Sequence, residues 1–321
     1  MIIRDKFARS SGLLALCGLL AACQGGTDAL PCGLGFVTGL KLTQSDRAFD
    51  TTISINGQNA AMFLDTGSTF NLLTRSAASR LRLAPAYHAE HYLEGIGGNL
   101  EIAAGRSREV RLGDAHGKDL TFATVADSAV PGDADGILGM DFLYDYDMDL
   151  DFWDGRLGLY KTIKSCATPV TAMTGQLYSV PLLDPSHALE KHVESLDTVF
   201  DVTINGKIFK AVVDTGATRT LIFRDSARRA GLRDAAILAR DSIHGAGERP
   251  VAGDIRISAP MSIGDLTVTG MPIVVADQTH PVDTDILLGF DFVTRVHLWI
   301  SHSSHTLIMQ YPPMPTPVRS E

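Results

Sequence analysis

The sequence predicts a mainly β protein made of two tandem copies of one unit. Three observations predict this. Blocks of sequence recur in one order at a nearly constant spacing, apolar and polar residues alternate at period two into Asn-Gly pairs, and 321 residues suffice for two cores. The composition, 45% hydrophobic and 20% charged, is that of a folded globular chain.

The repeat can be read directly. Ile55-Asn56-Gly57 returns as Ile204-Asn205-Gly206, and Phe63-Leu64-Asp65-Thr66-Gly67-Ser68 returns as Val212-Val213-Asp214-Thr215-Gly216-Ala217, both at an offset of 149. Val125-Ala126-Asp127 returns as Val275-Ala276-Asp277, and residues 135–142 return as 285–292, at an offset of 150. Four blocks in the same order mark a duplication with one inserted residue.

Taken in chain order, residues 1–22 read as an address. Arg4, Lys6 and Arg9 precede an apolar run from Leu13 to Ala22. The run is shorter than the roughly 20 residues that span a bilayer but fits a secretory signal peptide. It ends Leu20-Ala21-Ala22-Cys23, which resembles a bacterial lipoprotein lipobox. The resemblance implies lipidation at Cys23. Gln24, where an aspartate would signal inner-membrane retention, implies the outer membrane, with the body in the periplasm. An ordinary signal peptide with an incidental Cys23 is the alternative. Residues 23–38 are expected to be a leader, 39–165 the first domain, 166–177 a linker, 178–311 the second domain and 312–321 a Pro-rich extended tail. With Cys23 acylated, Cys32 and Cys166 remain as a pair for a disulfide in an oxidising compartment. Two unrelated buried thiols are the other reading.

Within each copy, residues 52–55 and 200–204 alternate at period two and run into Asn-Gly, a hairpin signal. The return strand ends in apolar residues and then Asp-Thr-Gly. Helical spacing predicts short helices over 75–83 and 224–232, and others starting near Gly139 and Gly289. Ile137-Leu138-Gly139 and Leu287-Leu288-Gly289 read as core strands passing behind each acid-bearing loop, with glycine allowing close chain packing. Asp135 and Asp285 are expected to cap the local turn or helix start.

One Asp-Thr-Gly is weak evidence, because Asp and Gly are common turn residues. Two, each after an apolar strand and each followed by an Ile/Leu-Leu-Gly segment, are stronger. Peptide hydrolysis needs a base to activate water and an acid to protonate the leaving nitrogen. Two carboxylates about 3 Å apart cannot both ionise, so they share one proton and offer both roles. Asp65 and Asp214 are the candidate catalytic pair, with a water between them.

This constellation resembles the retropepsin-like aspartic proteases over roughly residues 40–165 and 178–310. The resemblance implies two tandem β-barrel domains forming an internal pseudo-dimer, with each copy supplying one aspartate about a two-fold axis and the Thr66 and Thr215 hydroxyls cross-linking the loops. Gly67 and Gly216 are expected to let the backbone turn tightly behind each carboxylate and to donate from their amides. Ser68 can orient its neighbouring carboxylate through its hydroxyl, and Ala217 cannot. Glu94-Gly95-Ile96-Gly97-Gly98 resembles a flap tip, and His244-Gly245-Ala246-Gly247 does so less closely. Gly95, Ile96, Gly97, Gly98, Gly245, Ala246 and Gly247 are therefore the candidate substrate-binding residues, pairing with an extended polypeptide by β-addition. Ordinary hairpin turns are the alternative for both segments.

Other chemistries find less support. Lys and Arg total 28 against 37 Asp and Glu, and without residues 1–22 the balance is 25 against 36, a net −11. That gives no electrostatic footprint for nucleic acid or anionic lipid, so the membrane enters only through the lipid anchor. His88, His91, His297, His302 and His305 include HxxH spacings, but there is no HExxH and no Cys/His quartet. No metal and no cofactor are expected. Neither a dinucleotide fingerprint nor Gly-Xaa-Ser-Xaa-Gly is present. The expected function is an aspartic endopeptidase acting on periplasmic proteins as a monomer. A silent peptide-binding scaffold lipoprotein, or an enzyme held latent by residues 24–40 or the tail, are the rivals.

Overall fold

The computed structural model describes residues 33–45, 48–87, 92–96, 98–130, 132–163, 171–183, 198–232, 235–243, 250–277 and 284–311. Cys23, Cys32, Cys166 and the tail from 312 lie outside the described residues, and with them the expected lipidation site and disulfide. No helix among the described residues is long and apolar enough to cross a membrane.

Each copy folds around its own sheet, of ten strands in the first and nine in the second. The first hairpin joins Ala48–Ile55 to Gln58–Leu64 with Ile55 opposite Gln58. Its counterpart joins Val199–Ile204 to Lys207–Val213 with Ile204 opposite Lys207. Asn56 and Gly57 sit at φ 52° and 79°, Asn205 and Gly206 at 50° and 72°, the left-handed pair that a two-residue hairpin turn requires. The asparagine also has a tertiary duty: Asn56 Nδ2 donates to the Leu81 carbonyl at 2.8 Å and Asn205 Nδ2 to that of Ala230 at 2.9 Å. Each turn thereby anchors the end of a helix.

Those helices run Arg75–Arg80 and Arg224–Arg229, shorter than the apolar spacing predicts. Left-handed residues stop them, Arg82 at φ 56° and Gly231 at 76°. Leu81 and Leu232 are buried beyond the last helical turn, so their spacing reflects packing and not helix. Short helices follow both Leu-Gly segments, at Met140–Leu143 and Phe290–Val293.

Gly136–Leu138 runs parallel to Gln58–Leu64 and antiparallel to Leu72–Thr74, directly behind the loop carrying Asp65. Ile286–Leu288 repeats this against Lys207–Val213 and Leu221–Phe223. Asp135 and Asp285 correct the capping expectation. Asp135 Oδ2 accepts from the Ala61 N–H at 2.9 Å and its carboxylate pairs with Arg80 at 2.6 Å. Asp285 accepts from the Lys210 N–H at 2.9 Å and pairs with Arg229 and Ser226. Both acids clasp strand to helix across the fold, because the preceding chain leaves them beside a strand amide.

A third sheet joins the copies. Its six strands, in order, are Leu34–Lys41, Arg156–Thr162, Asp147–Asp151, His297–Ser301, Thr306–Gln310 and Tyr178–Pro181. The first strand begins inside the stretch expected to be a leader. Asp147–Asp151 and His297–Ser301 pair antiparallel at the centre, with Met148 opposite Ile300 and Leu150 opposite Leu298. The face bearing Met148, Leu150, Leu157, Leu159, Leu298 and Ile300 joins the main hydrophobic cluster, which runs through both copies. Each copy also keeps a smaller cluster of its own, around Phe63 and Leu72 in the first and Val212 and Leu221 in the second, while the shared sheet needs a shared apolar layer beneath it.

Candidate active site

The Asp-Thr-Gly loops emerge side by side from the two sheets. Each is held from behind by the core strand: the Asp65 N–H donates to the Leu138 carbonyl at 3.1 Å and the Asp214 N–H to that of Leu288 at 3.0 Å. The threonines cross the gap. Thr66 Oγ1 donates to the Val213 carbonyl at 2.6 Å and accepts from the Thr215 N–H at 3.2 Å. Thr215 Oγ1 donates to the Leu64 carbonyl at 2.8 Å and accepts from the Thr66 N–H at 3.1 Å. Both threonines are fully buried, so these four bonds lock the loops where no water competes.

The expected turns close with the Ser68 N–H donating to the Asp65 carbonyl and the Ala217 N–H to that of Asp214, both at 3.3 Å, yet neither Gly67 nor Gly216 has positive φ, so the glycines answer to a further constraint. A Cβ on Gly67 would lie 2.5 Å from the Asp214 carboxyl, and one on Gly216 would lie 2.4 Å from that of Asp65. Each glycine makes room for the acid of the other copy. Each amide also donates to the acid of its own copy, to Asp65 Oδ1 and Asp214 Oδ1, both at 2.9 Å. The Ala217 N–H adds a third such bond to Asp214 at 3.0 Å. Ser68 departs from its expected role: its hydroxyl donates to the Phe70 carbonyl at 2.9 Å, not to a carboxylate. A short hydroxyl side chain readily bonds a backbone carbonyl two residues on.

Burial and the neighbouring Asp214 charge push the Asp65 carboxyl well above the usual carboxylate range, against the Gly67 N–H that favours ionisation. Burial likewise raises Asp214, while bonds from Ala217, Gly216 and Asp65 hold it back. The two acids are bonded to each other, so the proton belongs to the pair.

Two further acids support the loops and escaped the sequence reading. Asp141 Oδ1 accepts from the Asn71 N–H at 3.0 Å, and Asn71 Oδ1 accepts from the Gly139 N–H at 2.9 Å. In the second copy Asp291 Oδ1 accepts from the Thr220 N–H at 2.7 Å and from its hydroxyl at 2.8 Å, and Thr220 Oγ1 accepts from the Gly289 N–H at 3.1 Å. Burial pushes the Asp141 carboxyl up to about 7, opposed by the Asn71 N–H. Burial raises Asp291 as well, opposed by the two Thr220 bonds. Their signal was in the repeat itself, since Asp141 and Asp291 occupy matching places in it. Gly139 and Gly289 sit against the loop carbonyls, where a Cβ would come within 2.5 Å of the Phe70 oxygen and 2.4 Å of the Arg219 carbonyl carbon.

The first glycine-rich segment forms a hairpin, Tyr92–Gly95 with Gly98–Glu101, closing with Gly95 opposite Gly98. Gly98 has φ 113°. Ile96 at its tip packs on the cluster of the second copy around Val199, Val212 and Leu221, so this hairpin reaches across to the other half. In the second copy Ala239–Ile243 pairs with Val251–Ile257. Gly97, Gly245, Ala246 and Gly247 lie outside the described residues. Among the described residues no group of three or more His, Cys, Asp and Glu side chains is placed to hold a metal ion.

Comparison with known proteins follows the same division of the chain. The UBA domain-containing protein Mud1 of Schizosaccharomyces pombe (strain 972 / ATCC 24843) is 32% identical over 125 residues, 37% of this chain and 36% of that protein. The chain thus matches only about a third of that relative's length. The family model described as aspartyl protease matches twice, over residues 51–142 and 200–292, once for each acid-bearing loop. With both copies matched over more than half of its length, this chain belongs to the aspartyl protease family.

Proposed function

We propose that the chain is an aspartic endopeptidase that hydrolyses extended polypeptides in the periplasm. The observation that carries this reading is the reciprocal packing of each glycine against the other copy's carboxyl, which leaves Asp65 and Asp214 bonded together with both carboxyls above their ordinary range. In the proposed reaction the ionised carboxylate removes a proton from a water held between the two acids. That water adds to the peptide carbonyl while the protonated carboxyl donates to its oxygen. The leaving nitrogen then takes a proton from the pair, and no covalent intermediate forms. The first hairpin, with Ile96 across the cleft, grips the substrate strand and excludes bulk water.

The test is cleavage of an unfolded protein by the full-length chain from pH 4 to 8, with cut sites mapped by mass spectrometry. Asp65→Asn and Asp214→Asn are each expected to abolish cleavage, and activity is expected to fall once pH rises above the pair's upper pKa. Equal cleavage by parent and variants, or a rate rising steadily above pH 8, would sink the assignment. The periplasmic setting rests on residues 1–23. Incorporation of a labelled fatty acid, lost in Cys23→Ser, is the expected result, and labelling that persists in the variant contradicts it.

A further inference from the structure

We infer that the two ends of the cleft select different side chains and that Arg219 is the specificity-determining residue that receives a carboxylate. The inference rests on the reading of the cleft as a polypeptide site. The duplication supplies the comparison. Phe70 and Arg219 occupy the same position, five residues after each aspartate. Each sits where an acid-bearing loop meets the hairpin of its own copy. Phe70 packs, with Leu93 of the first hairpin, on the cluster that contains Leu100 and Ile102. Arg219 instead reaches Asp241 in Ala239–Ile243, Nε to Oδ2 at 3.1 Å. Asp241 in turn stands where the first copy has Tyr92. One corner is apolar and the other is ionic.

The pair's closest approach is through Nε, the Arg219 charge also acts on the buried Asp291, and the side chain is 43% exposed. A guanidinium presents a planar fork of N–H groups that matches a carboxylate side chain, and Asp241 fixes its orientation beforehand. The wider field agrees. Residues 48–162 carry nine basic against seventeen acidic groups, whereas 198–311 carry eleven against twelve. An acidic side chain is repelled at the first end and accepted at the second. Asp241 also lines a cavity of about 490 Å³, with four arginines, Arg224, Arg228, Arg240 and Arg256, and two further acids, Asp254 and Asp277. Arg240 there is 85% exposed and 3.8 Å from Asp254. The preferred substrate is therefore an extended chain with an acidic residue toward the second copy and an apolar one toward the first, bound in one direction.

The test uses peptides that differ only in Glu, Gln or Phe at each position flanking the cut. Cleavage by the full-length chain is measured alongside anisotropy binding to its Asp214→Asn form. Glu is expected over Gln by roughly tenfold at one position on one side. The ratio should fall to about one in Arg219→Phe, in Arg219→Gln, and in the binding arm below pH ~4, where Glu is protonated. Circular dichroism checks that both variants fold. An unchanged ratio in the variants, or no Glu preference at any position in either arm, overturns the inference. Binding preference without cleavage by the parent refutes proteolysis and leaves the inference standing.

Discussion

Asp65 and Asp214 are costly residues, and their cost depends on pH in a direction the geometry fixes. Both carboxyls lie above their ordinary range because they are buried together. The folded chain therefore holds the shared proton more tightly than the unfolded one. Their contribution to stability is complete below the unfolded carboxyl pKa of about 4 and is lost as pH rises through the raised values. Asp65→Asn should accordingly be more stable than the parent at pH 7 by about 1–3 kcal/mol, a gain that disappears near pH 4. Thermal melts at both pH values check this. Gly67→Ala tests the other side of the arrangement, since its Cβ would fall 2.5 Å from the Asp214 carboxyl. Hydrolysis should drop roughly 100-fold while the melting curve keeps its shape. An active Gly67→Ala chain would show that the loops tolerate displacement.

Among the elements, the short helices and core strands hold the acid loops still. Asp141 bridges one such helix to the Asn71 amide, with its carboxyl pushed up to about 7. Its sign is that of the Asp65–Asp214 pair: the stability it confers below about pH 4 fades as pH rises through 7. Asp141→Asn keeps the accepting oxygen and removes the charge, so it should stabilise the fold above pH 7 by on the order of 2 kcal/mol and do nothing at pH 4. Chemical denaturation at the two pH values is the measurement. Asp135 is the clasp between Gln58–Leu64 and Arg75–Arg80. Asp135→Ala strands the Ala61 N–H and is expected to cost about 1–3 kcal/mol at any pH from 6 to 8. The sequence showed that both acids recur in the two copies but not what they touch, because their partners lie about 55 to 75 residues away.

At the scale of the whole molecule, the six-stranded sheet makes the copies one body. Asp149 meets His297 across it at 2.5 Å, and the His302 ring packs on Tyr144 at a tilt of 40° with centroids 4.4 Å apart. Burial pushes His302 down to about 4, against the Asp147 charge that raises it and alongside His305, which lowers it. The folded chain holds this imidazole neutral, so its stabilising contribution is complete above pH ~6.5 and is lost as pH falls toward 4. This runs opposite to the carboxyl pair, so between about pH 4 and 6.5 the two trends offset each other. His302→Phe keeps the ring packing and removes the titration, and should shift the acid unfolding midpoint to lower pH. An unmoved midpoint would assign acid unfolding to other groups.

The sequence by itself determined the class of fold, the duplication and the two loops that meet. Alternation, Asn-Gly turns and recurring Asp-Thr-Gly are local patterns, and local backbone preferences fix them. Only the tertiary structure decided why Gly67 and Gly216 are glycines, since each answers to a carboxyl about 150 residues away. It alone decided that one apolar layer runs beneath both copies and that Ile96 crosses to the other half. It also decided that Phe70 and Arg219, equivalent in the repeat, face an apolar and an ionic corner. Contacts between distant segments follow from how the sheets stack, and no period in the chain encodes that stacking.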